Sequence, residues 1–261
     1  MNRKINGLFI LALGISMAFI ACNGGNTKEA APTTTDSLNT TKTDTVQQMA
    51  QDATADALKA APNLYKLIGD TMGIRVLEAT YKPGDSSAMH SHPDYALYVI
   101  NGGTAAFTGK DGKEMVREMK PGTANIRAAE VHSVKNTGKT TIKVWLVEVN
   151  RPMGTVSSDP AMDATKVAPD LYKLKMDTLG IRIVEATYKP GQSSAMHAHP
   201  DNAIYVISGG TSAFTEKDGT KQTHELKAGM SMIAPGGAHS VKNIGKTTDK
   251  VLIVEVNRPA K

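Results

Sequence analysis

From Gly73 onward, apolar and polar positions alternate in short runs that end at turn residues. GIRVLEATY is followed by KPGD, YALYVI by NGG and TAAFTG by KDGK; TANIRA and HSVK then lead through NTGK to TIKVWLVEV. Runs rich in β-branched residues, cut every roughly 8–12 residues by Gly, Pro, Asn or Asp, are the pattern of strands in a sandwich or barrel. No segment of this region sustains a helical period, so the expectation is an all-β fold.

The pattern occurs twice. Residues 62–152 match 169–259 without a gap at an offset of 107, with about two-thirds of positions identical. That period is too long for a solenoid unit, so the chain carries a tandem domain duplication. The expected organisation is a first β domain at 62–152, a polar linker at 153–168 (MGTVSSDPAMDATKVA) and a second domain at 169–261. Ahead of them, residues 22–61 begin with NGGNTKEAAPTTTDSLNTTKTDT, which has too few large apolar residues to fold and reads as a flexible tether. Within it, Val46 to Ala61 is rich in Ala, Gln and Asp and is read as a short helix of low amphipathicity.

The first 21 residues have the anatomy of a secretory signal: a cationic MNRK, then a mostly apolar run from Ile5 to Ala21. Cys22 is the only cysteine of the 261 residues, so it has no intramolecular disulfide partner. FIAC, ending at Cys22, resembles the bacterial lipobox, with Phe19 where leucine is usual. The resemblance implies that Cys22 is lipidated and becomes the mature N-terminus. It implies a membrane lipoprotein of the bacterial cell envelope, facing the periplasm or the surface. The formal charge of +5 falls to about +3 once Arg3 and Lys4 are removed. Acidic and basic residues are interspersed and no basic aromatic face stands out, which excludes nucleic acid as an expected partner.

Six of the seven histidines form two matching triplets: His90, His92 and His132, and His197, His199 and His239. His224 stands apart, with Arg117 as its counterpart, and reads as a surface residue. Residues two apart on a strand share a face, so each His-x-His pair points one way. A third imidazole from a later strand could face that pair across a barrel interior. Three imidazoles converging on a dry interior are costly without a shared partner, and the usual one is a divalent transition metal.

The spacing resembles the cupin superfamily. Gly84, His90, His92 and Gly103 fill the first motif, G-x5-H-x-H-x3-E-x6-G, in one copy; Gly191, His197, His199 and Gly210 fill it in the other. The second motif, G-x5-P-x-G-x2-H-x3-N, is met in part by Gly229, Pro235, His239 and Asn243, and by Gly122, His132 and Asn136 with Ala128 in place of the proline. The resemblance implies two small jelly-roll (double-stranded β-helix) barrels, a bicupin, as monomer or homodimer. Where the first motif places a glutamate ligand, Ala96 and Ala203 stand, so it implies three-histidine sites, as in thiol and diketone dioxygenases of the superfamily. Fe, Mn, Cu, Ni or Zn would suit, up to two ions per chain.

Three neutral ligands leave the full charge of the ion uncompensated, which favours a small anionic or chelating molecule. The candidate reading is a dioxygenase-like oxidoreductase, and the alternative is a non-catalytic metal- or ligand-binding lipoprotein. Asp94 and Asp201 are read as turn residues or supports with ligation left open, and Glu130 is within parity of the first site. Tyr98 and Tyr205 are candidates for a hydrogen bond to substrate or for core packing. Arg127 is the candidate anion contact, because Asn125 and Arg127 make the first pocket polar where Met232 and Ala234 make the second apolar.

Overall fold

The computed structural model describes residues 55–154 and 159–260. The apolar run Ile5–Ala21, Cys22 and most of the tether lie outside the described residues. Within them, no helix is long and apolar enough to cross a membrane.

Each repeat folds into nine antiparallel strands. In the first these are β1 (Tyr65–Thr71), β2 (Ile74–Tyr81), β3 (His90–His92), β4 (Tyr95–Asn101), β5 (Gly103–Gly109), β6 (Glu114–Met119), β7 (Ala124–Arg127), β8 (Glu130–Asn136) and β9 (Ile142–Val149). They make a five-stranded sheet, β1-β2-β9-β4-β7, and a four-stranded sheet, β3-β8-β5-β6. The second repeat runs β10 (Tyr172–Thr178), β11 (Ile181–Tyr188), β12 (His197–His199), β13 (Asn202–Ser208), β14 (Thr211–Glu216), β15 (Lys221–Glu225), β16 (Ser231–Ala234), β17 (Gly237–Asn243) and β18 (Asp249–Val256). Its sheets are β10-β11-β18-β13-β16 and β12-β17-β14-β15.

Burial follows side-chain parity and sets three layers of core. In β9 every residue but Lys143 is buried, because both faces of this strand are covered. Leu146 and Val144 look into the first barrel, beside Leu77, Tyr81 and Val134. Trp145, Val147 and Val149 look the other way and join Ile181, Ile183, Leu252, Val254 and Val256 in one cluster shared by the two barrels. The two five-stranded sheets therefore pack face to face, and each four-stranded sheet closes its own barrel on the outside. The outer β6 has no partner beyond it, and its residues are exposed but for a half-buried Met119.

Tyr98 and Tyr205 belong to this shared layer. Their rings face each other across it, with centroids 5.5 Å apart. They line neither barrel interior, which corrects their candidacy as substrate contacts. The physical reason is parity: Pro93 and Asp94 interrupt the run between β3 and β4, so inward positions on β4 are Tyr95, Leu97 and Val99. Ala96 shares the outward face with Tyr98 and is likewise in the shared layer, as is Ala203. The alanines are thus not the residues that face the histidines; Tyr95 and Asn202 are.

Polar contacts lock the barrels together reciprocally. Arg151 donates from Nε to Met72 O at 2.6 Å and from Nη1 to Arg258 O at 3.1 Å, and pairs through Nη2 with Asp201 at 2.5 Å. Arg258 does the same in mirror: Leu179 O at 2.7 Å, Arg151 O at 3.2 Å and Asp94 at 2.5 Å. Asp94 and Asp201 are therefore engaged across the interface and are not metal ligands. Met72 and Leu179 are the two non-glycine residues of positive φ among the described residues, at 54° and 55°. Each precedes a glycine of positive φ in a tight hairpin, and the arginine occupies its carbonyl.

Two short α-helices, the second preceded by a 3-10 turn at Pro160–Met162, complete the fold. α1 (Ala57–Ala60) and α2 (Ala164–Val167) are capped by Asp56 and Asp163, which accept from Leu58 N and Thr165 N. They lie in stretches that the sequence assigns to tether and linker. Yet Ala57 and Ala164 are fully buried against the barrels, so each folded unit begins some residues earlier than the alternating pattern indicates.

Candidate metal centres

Antiparallel pairing brings each triplet together. His90 lies directly opposite His132 on β8, and His197 directly opposite His239 on β17. The two histidines of β3 both face inward while Ser91 between them does not, and β12 repeats this. Ring centroids in the first triplet are 4.9, 4.9 and 5.3 Å apart, and in the second 5.0, 4.9 and 5.4 Å. Each triplet offers three ligand nitrogens within 4.8 Å of one another.

The hydrogen bonds of the rings show which nitrogen is free. His90 Nδ1 donates to Ala88 O and His197 Nδ1 to Ala195 O, both at 2.8 Å. His92 Nδ1 donates to Glu148 at 2.6 Å, and His199 Nδ1 to Glu255 at 2.6 Å. That leaves Nε2 of each ring with its lone pair toward the centre. Nε2 of His92 and of His199 is buried with no hydrogen-bond partner, a cost that a bound ion removes. The donor set, three imidazoles with carboxylates behind, fits a divalent transition metal. Burial is the main cause that lowers His90 and His197 to about 4 and His239 to about 3. All three are therefore neutral, and able to ligate, at neutral pH.

Behind each His-x-His pair runs a line of charges that sequence reasoning missed. Glu148, itself fully buried, takes His92 on one oxygen and Arg75 on the other, and Arg75 reaches on to Asp56, the cap of α1. The second copy repeats it as His199–Glu255–Arg182–Asp163, with Arg182 Nη1 3.0 Å from both carboxylates. A buried carboxylate on the far nitrogen fixes the ring and raises its basicity toward a metal. A second missed group is a pair of phenols. Tyr81 donates to Tyr65 at 3.0 Å, and the Tyr65 hydroxyl stands 3.0 Å from His90 Nε2. Tyr188 and Tyr172 do the same at His197, both at 2.8 Å. Burial pushes the Tyr65 and Tyr172 phenols well above their ordinary range, so both keep their protons.

The two centres differ where the substituted residues cluster. In the first, Tyr95 lies against His92, with ring centroids 5.1 Å apart, and donates to Glu130 at 2.5 Å. Glu130 is 3.4 Å from His132 Nδ1 and is gripped by the Arg127 fork at 2.9 and 3.0 Å. Burial raises the Glu130 carboxyl, but His132, Arg127 and Tyr95 outweigh it and hold the group well below the usual carboxylate range. In the second barrel these three positions are Asn202, Ala234 and Gly237. The first cavity, about 610 Å³, is lined by Asn125 and Arg127 among others, and the second, about 440 Å³, by Met232 and Ala234. His224 is exposed at the rim of the second, edge-on to Phe214.

Comparison with known proteins agrees with this geometry. Residues 184–255 match the cupin domain family. The solved structure of AerE from Microcystis aeruginosa is similar at a TM-score of 0.55 and 15% identity, covering 74% of this chain and 93% of its own. An oxalate decarboxylase variant from Bacillus subtilis is similar at a TM-score of 0.52 and 16% identity, covering 73% of this chain and 71% of its own. No curated protein sequence matches significantly. The second barrel is thus a cupin domain, and the first shares its strand order, register and histidine placement. The chain thus has the fold of two cupin barrels, with two three-histidine groups of metal-holding geometry.

Proposed function

We propose that this bicupin is a metal-dependent, dioxygenase-like enzyme that works in its first barrel on a small anionic or chelating molecule. One observation carries the reading: Tyr95, Glu130 and Arg127 surround the first three-histidine centre, and nothing equivalent surrounds the second. A divalent ion held by His90, His92 and His132 would supply Lewis acidity and, if redox-active, a place for dioxygen beside a chelated substrate. Around it, Glu148 orients His92 and Glu130 steadies His132. Arg127 sets a positive charge in the cavity wall, although its pairing with Glu130 offsets much of that charge. Lys113 and Arg117 add to it nearer the solvent. With an ion on His90 Nε2, the Tyr65 hydroxyl, which stands 3.0 Å from that nitrogen, would be free to donate to a ligand oxygen.

The test is oxygen uptake by protein loaded with ferrous iron or copper, against a panel of thiols, diketones and phenols. Uptake with one of these is expected, lost in His132→Ala and kept in His239→Ala. Uptake with none of the panel would leave the non-catalytic binding reading, and uptake unchanged in His132→Ala would remove the first barrel from the chemistry.

The proposal places the protein on a lipid tether at the cell envelope, supported by the lipobox-like FIAC and the sole cysteine. Fatty-acid labelling should be abolished by Cys22→Ser; labelling that survives would mean that the anchor is elsewhere.

A further inference from the structure

The second barrel carries polar groups that the metal centre does not use. Asp249 opens β18, and its neighbours on the same inward face are Val251 and Ile253. It is 3% exposed, and Ser212, 1% exposed, donates to its Oδ2 at 2.6 Å. Its Oδ1 is buried without any hydrogen-bond partner, and among the described residues no cation pairs with it. Gly210 keeps that oxygen clear, since a Cβ there would lie 2.7 Å away. Asn202, facing the same cavity, donates from Nδ2 to Pro200 O at 2.8 Å and leaves Oδ1 buried and unpartnered. One cavity thus holds two buried acceptors that lack donors: Asn202, opposite Glu255 at the histidine end of β18, and the carboxyl of Asp249 at the other end.

The first barrel shows that the fold does not require this. There the positions of Ser212, Asp249 and Asn202 are Ala105, Ile142 and Tyr95, and the first two are core residues. A buried carboxylate without a counter-charge is among the costliest features a core can hold, and it persists where something completes it. The same cavity presents apolar side chains, Ile204, Phe214, Met230 and Met232, between the histidines of the metal centre and a polar rim of Glu216, His224 and Glu225.

From this we infer that the second barrel is a binding site for a small primary ammonium compound with an apolar body. The ammonium group pairs with Asp249 beside Ser212, and the carbon chain lies against Phe214 and the methionines. Asp249 and Glu255 sit at opposite ends of β18, roughly 20 Å apart along the strand, so the ammonium end pairs away from the contact between His199 and Glu255. This inference does not rest on the chemistry proposed for the first barrel.

The probe is n-hexylammonium, titrated calorimetrically into the metal-loaded full chain, with n-hexanol as the neutral match. One hexylammonium per chain is expected, at least about tenfold tighter than hexanol. Asp249→Asn should remove that preference while hexanol binding stays within about twofold. To separate lost binding from a disturbed barrel, the double variant Ser212→Ala/Asp249→Ile, which restores the first-barrel pair, should fold and also lose the preference. Equal binding of the two probes by the wild type, no binding of hexylammonium, or an undiminished preference in either variant would each overturn the inference. A calorimetric failure here leaves the oxygen-uptake result untouched, and the reverse holds as well.

Discussion

Replacing His90, His92 and His132 together by alanine is expected to lower bound metal from two ions per chain to one. Each centre is complete within its own barrel: the nitrogens of one triplet lie within 4.8 Å of each other and share no residue with the other triplet. Removing three ligands abolishes the first site outright, while His197, His199 and His239 keep theirs. The matching change at those three should leave the first ion alone, and the six-fold variant should hold none. A milder lesion, Glu148→Gln, keeps the ring contact but loses the charge behind His92, and should weaken the first site about 10- to 100-fold. Elemental analysis after dialysis, with competition against a chelator of known affinity, reads both effects. Two ions retained by the first triple variant would show that the metal sits elsewhere.

Arg258→Ala is expected to cost about 3–5 kcal/mol of stability, roughly 10 °C in Tm for a chain of this size. The side chain is 3% exposed and engages three acceptors: Leu179 O, Arg151 O and the Asp94 carboxylate, the last through a paired charge. Its removal strands Asp94, whose carboxyl lies below its ordinary range because Arg258 and Ala129 N–H outweigh the effect of partial burial. It also frees the Leu179 carbonyl in a hairpin whose backbone is already unfavourable. Asp94 retains 19% exposure, which places the expected loss toward the lower end of the range. Urea or thermal unfolding followed by circular dichroism measures it, with Lys113→Ala as a control at an exposed pair. A loss no larger than that control would mean the clamp contributes nothing to stability.

Much of the fold was legible because both of its signals are local: alternation within runs and turn residues between them. The histidine triplets were legible because six of seven histidines fall on one offset. What escaped depends on parity across a break. Pro93 and Asp94 shift which face of β4 turns inward, so the sequence leaves Tyr98 open between pocket and core and gives no sign of the inward place of Tyr95. Glu148 and Glu255 were hidden inside apolar runs, where a charged residue reads as an exposed position. A signal for them existed: EVNRP closes both repeats unchanged, and Asp56 and Asp163 stand at the same offset ahead of the assigned boundaries. Extending the repeat upstream by those residues recovers the whole line Asp–Arg–Glu–His in each copy.

The shared layer between the five-stranded sheets has a further consequence. The contacts across it are nearly self-complementary, Arg151 with Asp201 and Arg258 with Asp94, as between two copies related by a twofold axis. In a symmetric pair of separate chains, any substitution would alter both centres at once. Joining the halves in one polypeptide removes that constraint while keeping the packing. Tyr95 can serve one centre and Asn202 the other, and a buried aspartate can be placed in one barrel without burdening its twin.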